Sequence, residues 1–277
     1  MPRSQRAKDE VKNTILGFFA LNMAITFFSF EVSAQPMAEQ RGDIEEILEL
    51  SQVEEITSGM SQSLIARVFS LAGDLSLDEE NQIRSAISNG FILEDLQSDI
   101  VDFMSIESEG DLVRTVLEGL RSGATSEIRR ITNAHTPRQS IEEYAADFEL
   151  SMLSSERLDL VSRWVAAQSA GDFYIILNEA EREIAYELLR ALRGNAPDFI
   201  PLSRSEYERE HENQTAMAVL SVLYRFEAVS SELLREAISE RESESGQWYI
   251  ESYTFGISEA LWLAGQRVAR RLAGLVG

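Results

Sequence analysis

The sequence predicts an all-α fold, a helical bundle of about ten helices. Three observations carry this. Apolar residues recur at three- and four-residue spacing along nearly the whole chain, no stretch keeps the two-residue alternation of a strand, and only five prolines interrupt 277 residues. Ile44, Ile47 and Leu48 begin the first stripe, with Asp43 placed to cap it. Ser51 and Glu54 have capping-box spacing and predict the start of a helix bearing Ile56, Met60, Leu64, Ile65, Val68 and Phe69. Ser76 with Glu79 predicts another start, before Ile83 and Ile87, and Asn89-Gly90 predicts its stop, because both residues tolerate the left-handed conformation that closes helices. Leu96, Ile100, Phe103 and Met104 mark the next helix, and Leu112, Val113, Val116, Leu117 and Leu120 the one ended by Gly123.

A short helical segment around Ile128 and Ile131 follows. Thr136-Pro137 then reads as cap and first turn of a helix carrying Ile141, Tyr144 and Phe148. Leu158, Val161, Trp164 and Val165 lead to a break at Gly171-Asp172, and a long amphipathic run holds Phe173 through Leu192. Residues 194–202, with Gly194, Pro197 and Pro201, form the clearest loop. Ser203 with Glu206 predicts a helix to Tyr224; Leu233, Leu234, Ala237 and Ile238 mark another, and the last runs from about Gly246 toward Leu272.

The first segment reads as an address label. Arg3, Arg6, Lys8 and Lys12 form a basic leader, no charge occurs from Asn13 to Phe30, and Val32-Ser33-Ala34 supplies small side chains for a signal peptidase. Residues 1–34 are therefore expected to be a cleaved signal peptide and the remainder periplasmic. The alternative is an inner-membrane anchor formed by residues 13–30, since the run approaches the roughly 17–25 residues that can cross a bilayer.

Charge and composition exclude whole classes of chemistry. The chain has no cysteine, two histidines (His135 and His211) and a formal net charge of −22. Without cysteine there is no disulfide, zinc–thiolate site or thiol nucleophile. Residues 1–34 hold four of the 25 bases and three of the 47 acids, which leaves 21 and 44, a net of −23. Both lysines lie in the leader, so the exported part has no lysine for a Schiff base or a P-loop. A field of this sign repels nucleic acid and anionic lipid, and no nucleic-acid partner or membrane contact after cleavage is expected. Arg267, Arg270 and Arg271 are the one concentration of bases and read as complements to a helix C-terminal dipole.

Two stretches resemble each other: EIRRITNAHTPRQSIEEYAADF (127–148) lies on LREAISERESESGQWYIESYTF (234–255), with Ile131 on Ile238 and Thr136 on Ser243. Upstream, IEEILELSQVEEITSGM and LDLVSRWVAAQSAGDFYIIL share a helix–break–helix outline. The organisation expected is a first helical repeat over 35–150 and a second over 151–277.

The stretch ISERESESGQ (238–247) resembles the pattern "apolar pair, Ser-Pro-x-Gly-Gln, then a helix" of an exported, all-helical proteobacterial family known only as domain of unknown function two-zero-five-nine. Ser243, Gly246 and Gln247 fit; Glu244 replaces the family proline, and Glu240 and Arg241 stand where aromatic residues are usual. VLSVLYRFEAVSSELL (219–234) resembles the family's lead-in, and the first copy keeps Thr136-Pro137 without the glycine. The resemblance implies an exported helical bundle and no activity.

Candidate chemistry is sparse. Glu208 and His211 have the Glu-x-x-His spacing of di-iron bundles, but the second such motif is missing, and a solvated acidic face is the simpler reading. His135 falls in a polar turn, and no Gly-x-Ser-x-Gly elbow occurs. Trp248, Tyr249, Tyr253, Phe255 and Trp262 read as core packing, with a ligand groove as the alternative. Apolar residues wrap around 253–263 more fully than one buried face requires, with Gly256 set for close helix contact, which points to a protein partner or homodimer through the C-terminal helix. No catalytic, cofactor-binding or metal-ligating residue is assigned, and no cofactor is expected. The function expected is a non-catalytic interaction or scaffold protein of the cell envelope. The alternatives are a carboxylate-dependent cell-wall hydrolase and a small-ligand-binding module between the two halves.

Overall fold

A computed structural model describes residues 34–106, 108–135, 139–148, 154–194 and 198–276. The predicted leader up to Ser33 and Thr136-Pro137 lie outside the described residues. The described chain is all-α, without a strand. Its helices are α1 (Ala34–Leu50), α2 (Val53–Ser58), α3 (Met60–Ala72), α4 (Leu77–Ser88), α5 (Leu93–Ile106), α6 (Gly110–Ser122) and α7 (Ala124–Ala134). They continue with α8 (Ile141–Asp147), α9 (Ser155–Ala167), α10 (Ala170–Arg193), α11 (Arg204–Arg225), α12 (Ser231–Glu242) and α13 (Glu244–Val276).

Several starts follow directly from the sequence. Ser76 with Glu79 and Ser203 with Glu206 form complete capping boxes, each serine accepting from the glutamate amide while the glutamate accepts from the serine amide. Other boundaries differ, each for a visible reason. Asp43 caps nothing, because α1 already runs from Ala34. Ser51 does not open α2: its hydroxyl donates to Ile47 O at 2.5 Å and accepts from Tyr249 at 2.7 Å, so it closes α1 instead. The cap of α8 is Ser140, boxed with Glu143. Asn89-Gly90 does stop α4, but not through left-handed backbone. Asn89 sits at φ −95, and a Cβ on Gly90 would lie 2.3 Å from Val268 Cγ2, so that glycine is there for close approach to α13.

The break before α10 falls at Gln168-Ser169 rather than Gly171-Asp172. Gly171 is buried inside α10, where a Cβ would meet Thr215 Oγ1 at 2.5 Å. The real breaks are a matched pair. Gln52 (φ 57) and Ser169 (φ 47) are the two non-glycine residues with positive φ among those described. At the first, the amides of Ser51 and Gln52 donate to Ile47 and Glu49; at the second, those of Gln168 and Ser169 donate to Trp164 and Ala166. Both turns therefore close with the same bonds, one amide reaching back four residues and the next reaching back three.

Residues Ala38–Gly277 form one compact unit holding two apolar clusters. The first joins residues 44–120 to 184–192 and 249–272; the second joins 124–128 to 160–165 and 218–238. Each cluster thus draws on chain from both sides of residue 150. Helix α13 organises the first, packing on α4, α5, α6 and α10 and also touching α12. That explains its excess of apolar residues: Tyr253, Ile257, Ala260, Leu261, Ala264, Val268 and Leu272 are all buried inside this chain. Small residues allow the crowding. A Cβ on Gly256 would come within 3.2 Å of Met104, and one on Gly265 within 2.6 Å of Ile184. Between α3 and α10, the buried Glu181 carboxylate accepts from Ser63 at 2.9 Å and Arg67 at 3.4 Å. Helices α7 and α12, the pair whose sequences resemble each other, pack against one another. Among the described residues no helix is long and apolar enough to cross a membrane.

Candidate functional site

Where the two clusters face each other, the helices leave a cavity of about 370 Å³. Its walls come from the end of α1 and start of α2 (Leu50, Ser51, Gln52, Ile56), from one face of α7 (Thr125, Ile128, Arg129, Thr132, Asn133), and from the α9–α10 break (Trp164, Val165, Gln168, Ala170, Tyr174). Helix α11 adds Ala218, Ser221, Val222 and Arg225 with Phe226 beyond it, and Arg241, Tyr249 and Tyr253 complete the lining. Both left-handed breaks therefore end at this cavity. Its size lies in the range of small-molecule sites.

The lining mixes aromatic surface with bases and holds no acid. Trp164 and Phe226 pack at 5.7 Å between ring centroids, and Tyr249 stacks on Tyr253 at 5.4 Å. Burial pushes the Tyr253 phenol well above its ordinary range, so it stays neutral. Three arginines and no aspartate or glutamate line the space, in a chain with 47 acids.

The three arginines differ in what compensates them. Arg225 is exposed at the end of α11. Arg129 donates to Leu50 O and, at 2.9 Å, to Leu120 O, the closing carbonyls of α1 and α6. Those carbonyls are the negative ends of two helix dipoles, which offset its charge. Arg241 is different. It is 8 % exposed, its guanidinium lies 4.7 Å over the Tyr249 ring, and it makes no hydrogen bond or ion pair among the described residues. Its Nε is sealed from solvent without an acceptor. Burial pushes this guanidinium below its usual range, though arginine keeps its proton at any working pH. The neighbouring Glu240 makes no ion pair with it and offsets its charge only through space: that carboxylate caps α7, accepting from Ala124 N at 2.6 Å, Thr125 N at 3.0 Å and Thr125 Oγ1 at 2.8 Å. An uncompensated buried charge costs several kcal/mol, to order of magnitude. A second sealed donor without an acceptor, Gln168 Nε2, belongs to the same lining.

The residues singled out by sequence go to different places. Tyr249 and Tyr253 are buried core residues that also line the cavity. Trp248 packs against the first cluster, and Phe255 and Trp262 are 43 % and 41 % exposed, Phe255 meeting Phe103 edge-on at 5.9 Å. Glu208 accepts from Arg204 at 2.8 Å, whereas His211 turns to Asp172 at 3.6 Å. Asp172 also accepts from the Tyr207 hydroxyl; burial first, and this bond second, push that phenol up to about 12. His135 lies 3.4 Å from Glu227. Among the described residues no group of three or more acids or histidines is placed to hold a metal. Arg267, Arg270 and Arg271 do not complement a helix end, because α13 continues to Val276 with no base in its last turn; Arg267 instead pairs with Asp99 at 2.7 Å.

A second hollow, about 740 Å³, lies beside Glu45, Glu49, Glu54 and Gln97. The carboxyls raised by burial are elsewhere: Glu183, where Glu187 and Glu179 add like charge, and Glu259. Neither lines either space.

Sequence reasoning noticed Arg241 only as a polar departure from a family pattern. The signal was the spacing: Arg241 continues the stripe Leu234, Ala237, Ile238 at the interval that stays buried. No family model, curated protein or solved structure matches this chain.

Proposed function

We propose that this chain is an exported, non-catalytic binding protein that holds one small, largely apolar molecule between its two apolar clusters. The observation that carries the reading is the cavity itself: aromatic walls, acid-free lining and polar donors left without partners. Clefts of this size, mostly apolar with a few placed polar groups, are what small-ligand sites look like. Of the five sealed side-chain nitrogens without a hydrogen-bond partner among the described residues, two, on Arg241 and Gln168, belong to this lining, and a ligand gives them a partner. A carboxylate-dependent hydrolase calls for a raised acid facing its cleft, and Glu183 and Glu259 stand away from both hollows.

Export rests on the basic leader, charge-free run and small-residue exit of residues 1–34. The likeness to the domain-of-unknown-function family agrees with an exported helical bundle. Gly246, one of the residues carrying that likeness, has a clear role: a Cβ there would lie 2.3 Å from Glu240 O and 2.5 Å from Arg241 O. Duplication of a helical unit is supported by the identical closing bonds at Gln52 and Ser169.

The test is a titration of the purified chain with a small neutral hydrophobic fluorophore, 1-aminonaphthalene. One saturable site per chain, lost in Ala218→Phe, which fills the cavity from the α11 side, is the expected result. No saturable binding, or binding indifferent to that substitution, overturns the reading.

A further inference from the structure

The cavity reading, on which the following rests, leaves open what the ligand carries at its polar end. Helices α6 and α12 answer through their register. The buried stripe of α6 is Val113, Val116, Leu117 and Leu120; that of α12 is Leu234, Ala237, Ile238 and Arg241. The spacing is the same, the two helices end close behind it at Ser122 and Glu242, and in each case the next helix begins after a single residue. Leu120 and Arg241 both line the cavity. Leucine is what this position takes when packing is the only demand. The stripe of α12 ends instead on a guanidinium with no acceptor, while the nearest acid is committed to the start of α7.

We propose that the ligand is a monocarboxylate with an apolar tail, its carboxylate held by Arg241 with Gln168 as a further donor. The planar guanidinium, stacked on Tyr249, suits the two coplanar oxygens of a carboxylate. The count of charges favours one negative charge over two: Arg129 is offset by two helix ends and Arg225 is exposed, so one deep cation is unmatched. The volume of about 370 Å³ takes on the order of a dozen non-hydrogen atoms, at roughly 30 Å³ each in a liquid. Trp164, Phe226 and Ile128 supply the surface for the tail.

The probes are decanoate, 1-decanol and decyl phosphate, titrated by calorimetry into the full exported chain stripped of bound lipid. Decanoate is expected to bind at least tenfold more tightly than decanol. Arg241→Leu is expected to cut decanoate affinity at least tenfold while changing decanol affinity less than threefold, and Gln168→Ala, in the break between α9 and α10, to weaken decanoate alone by a few fold. Equal binding of decanoate and decanol by the unsubstituted chain overturns the carboxylate assignment and leaves the cavity reading standing. Tighter binding of decyl phosphate than of decanoate overturns the single-charge assignment. Failure of all three probes with 1-aminonaphthalene still bound overturns the carboxylate assignment alone, and failure of all four removes both readings.

Discussion

Glu240 and Thr125 are 115 residues apart in sequence, yet the Glu240 carboxylate accepts from both the amide and the hydroxyl of Thr125, and from the Ala124 amide beside it. A side chain from α12 thereby does for α7 what a local N-cap does elsewhere, with a full negative charge at the positive end of the helix. Glu240→Ala leaves these donors at the helix start unpaired and is expected to cost about 2 kcal/mol. Glu240→Gln, which keeps the shape but not the charge, should cost less. Urea denaturation of the three proteins measures both.

The glycines of α13 separate close approach from idle flexibility. Gly246→Ala drives a methyl group into two backbone carbonyls of α12, which have no room to move. The expected loss is about 3 kcal/mol or more, beyond ordinary overpacking. Gly274→Ala meets nothing within 4 Å. It should stabilise by up to roughly 1 kcal/mol, the helix-propensity difference. Thermal melts of the pair give opposite signs.

Acid should loosen the clamp between α10 and α4. The Glu79 carboxyl is held down to about 2, first by the Ser76 amide and then by Arg193, which also donates to the carbonyls of Ala72 and Asp74. A depressed folded-state value stabilises above the unfolded value near 4.5, and that contribution is lost as pH falls through about 2. Glu79→Gln should therefore show a shallower decline in stability between pH 5 and 2. An unchanged slope would falsify the linkage.

Arg241→Leu should stabilise the ligand-free chain. Replacing an unpaired buried cation by leucine, the residue that ends the similarly spaced buried stripe of α6, removes a desolvation cost, and a gain of about 2 kcal/mol is expected. Denaturation of the lipid-stripped protein measures it. A loss of stability would mean that the guanidinium packs too well against Tyr249 to be replaced.

The helices were legible because their apolar spacing and capping serines are local. Ser76 and Ser203 behave as their spacing predicts, since no group from a distant part of the described chain reaches their hydroxyls. Ser51 carries the same signal and closes the previous helix instead, because Tyr249 arrives from 198 residues away. Gly171 and Gly90 looked like punctuation but serve contacts with α11 and α13 that no local pattern encodes. The cavity was illegible for the same reason: its walls come from helices spread between Leu50 and Tyr253. The traces were local: Tyr249 and Tyr253, read as core or as a ligand groove, serve as both, and Arg241 stood out as a charge on a stripe that should have been apolar.

Helix α13 contributes to the first cluster more buried side chains than any single neighbour needs, and it is synthesised after every helix it packs against. An emerging polypeptide therefore cannot close that core until the 33 residues of α13 have been made. Contacts this distant in sequence delay folding relative to chain elongation. Such a chain remains open, and threadable, until that helix has emerged.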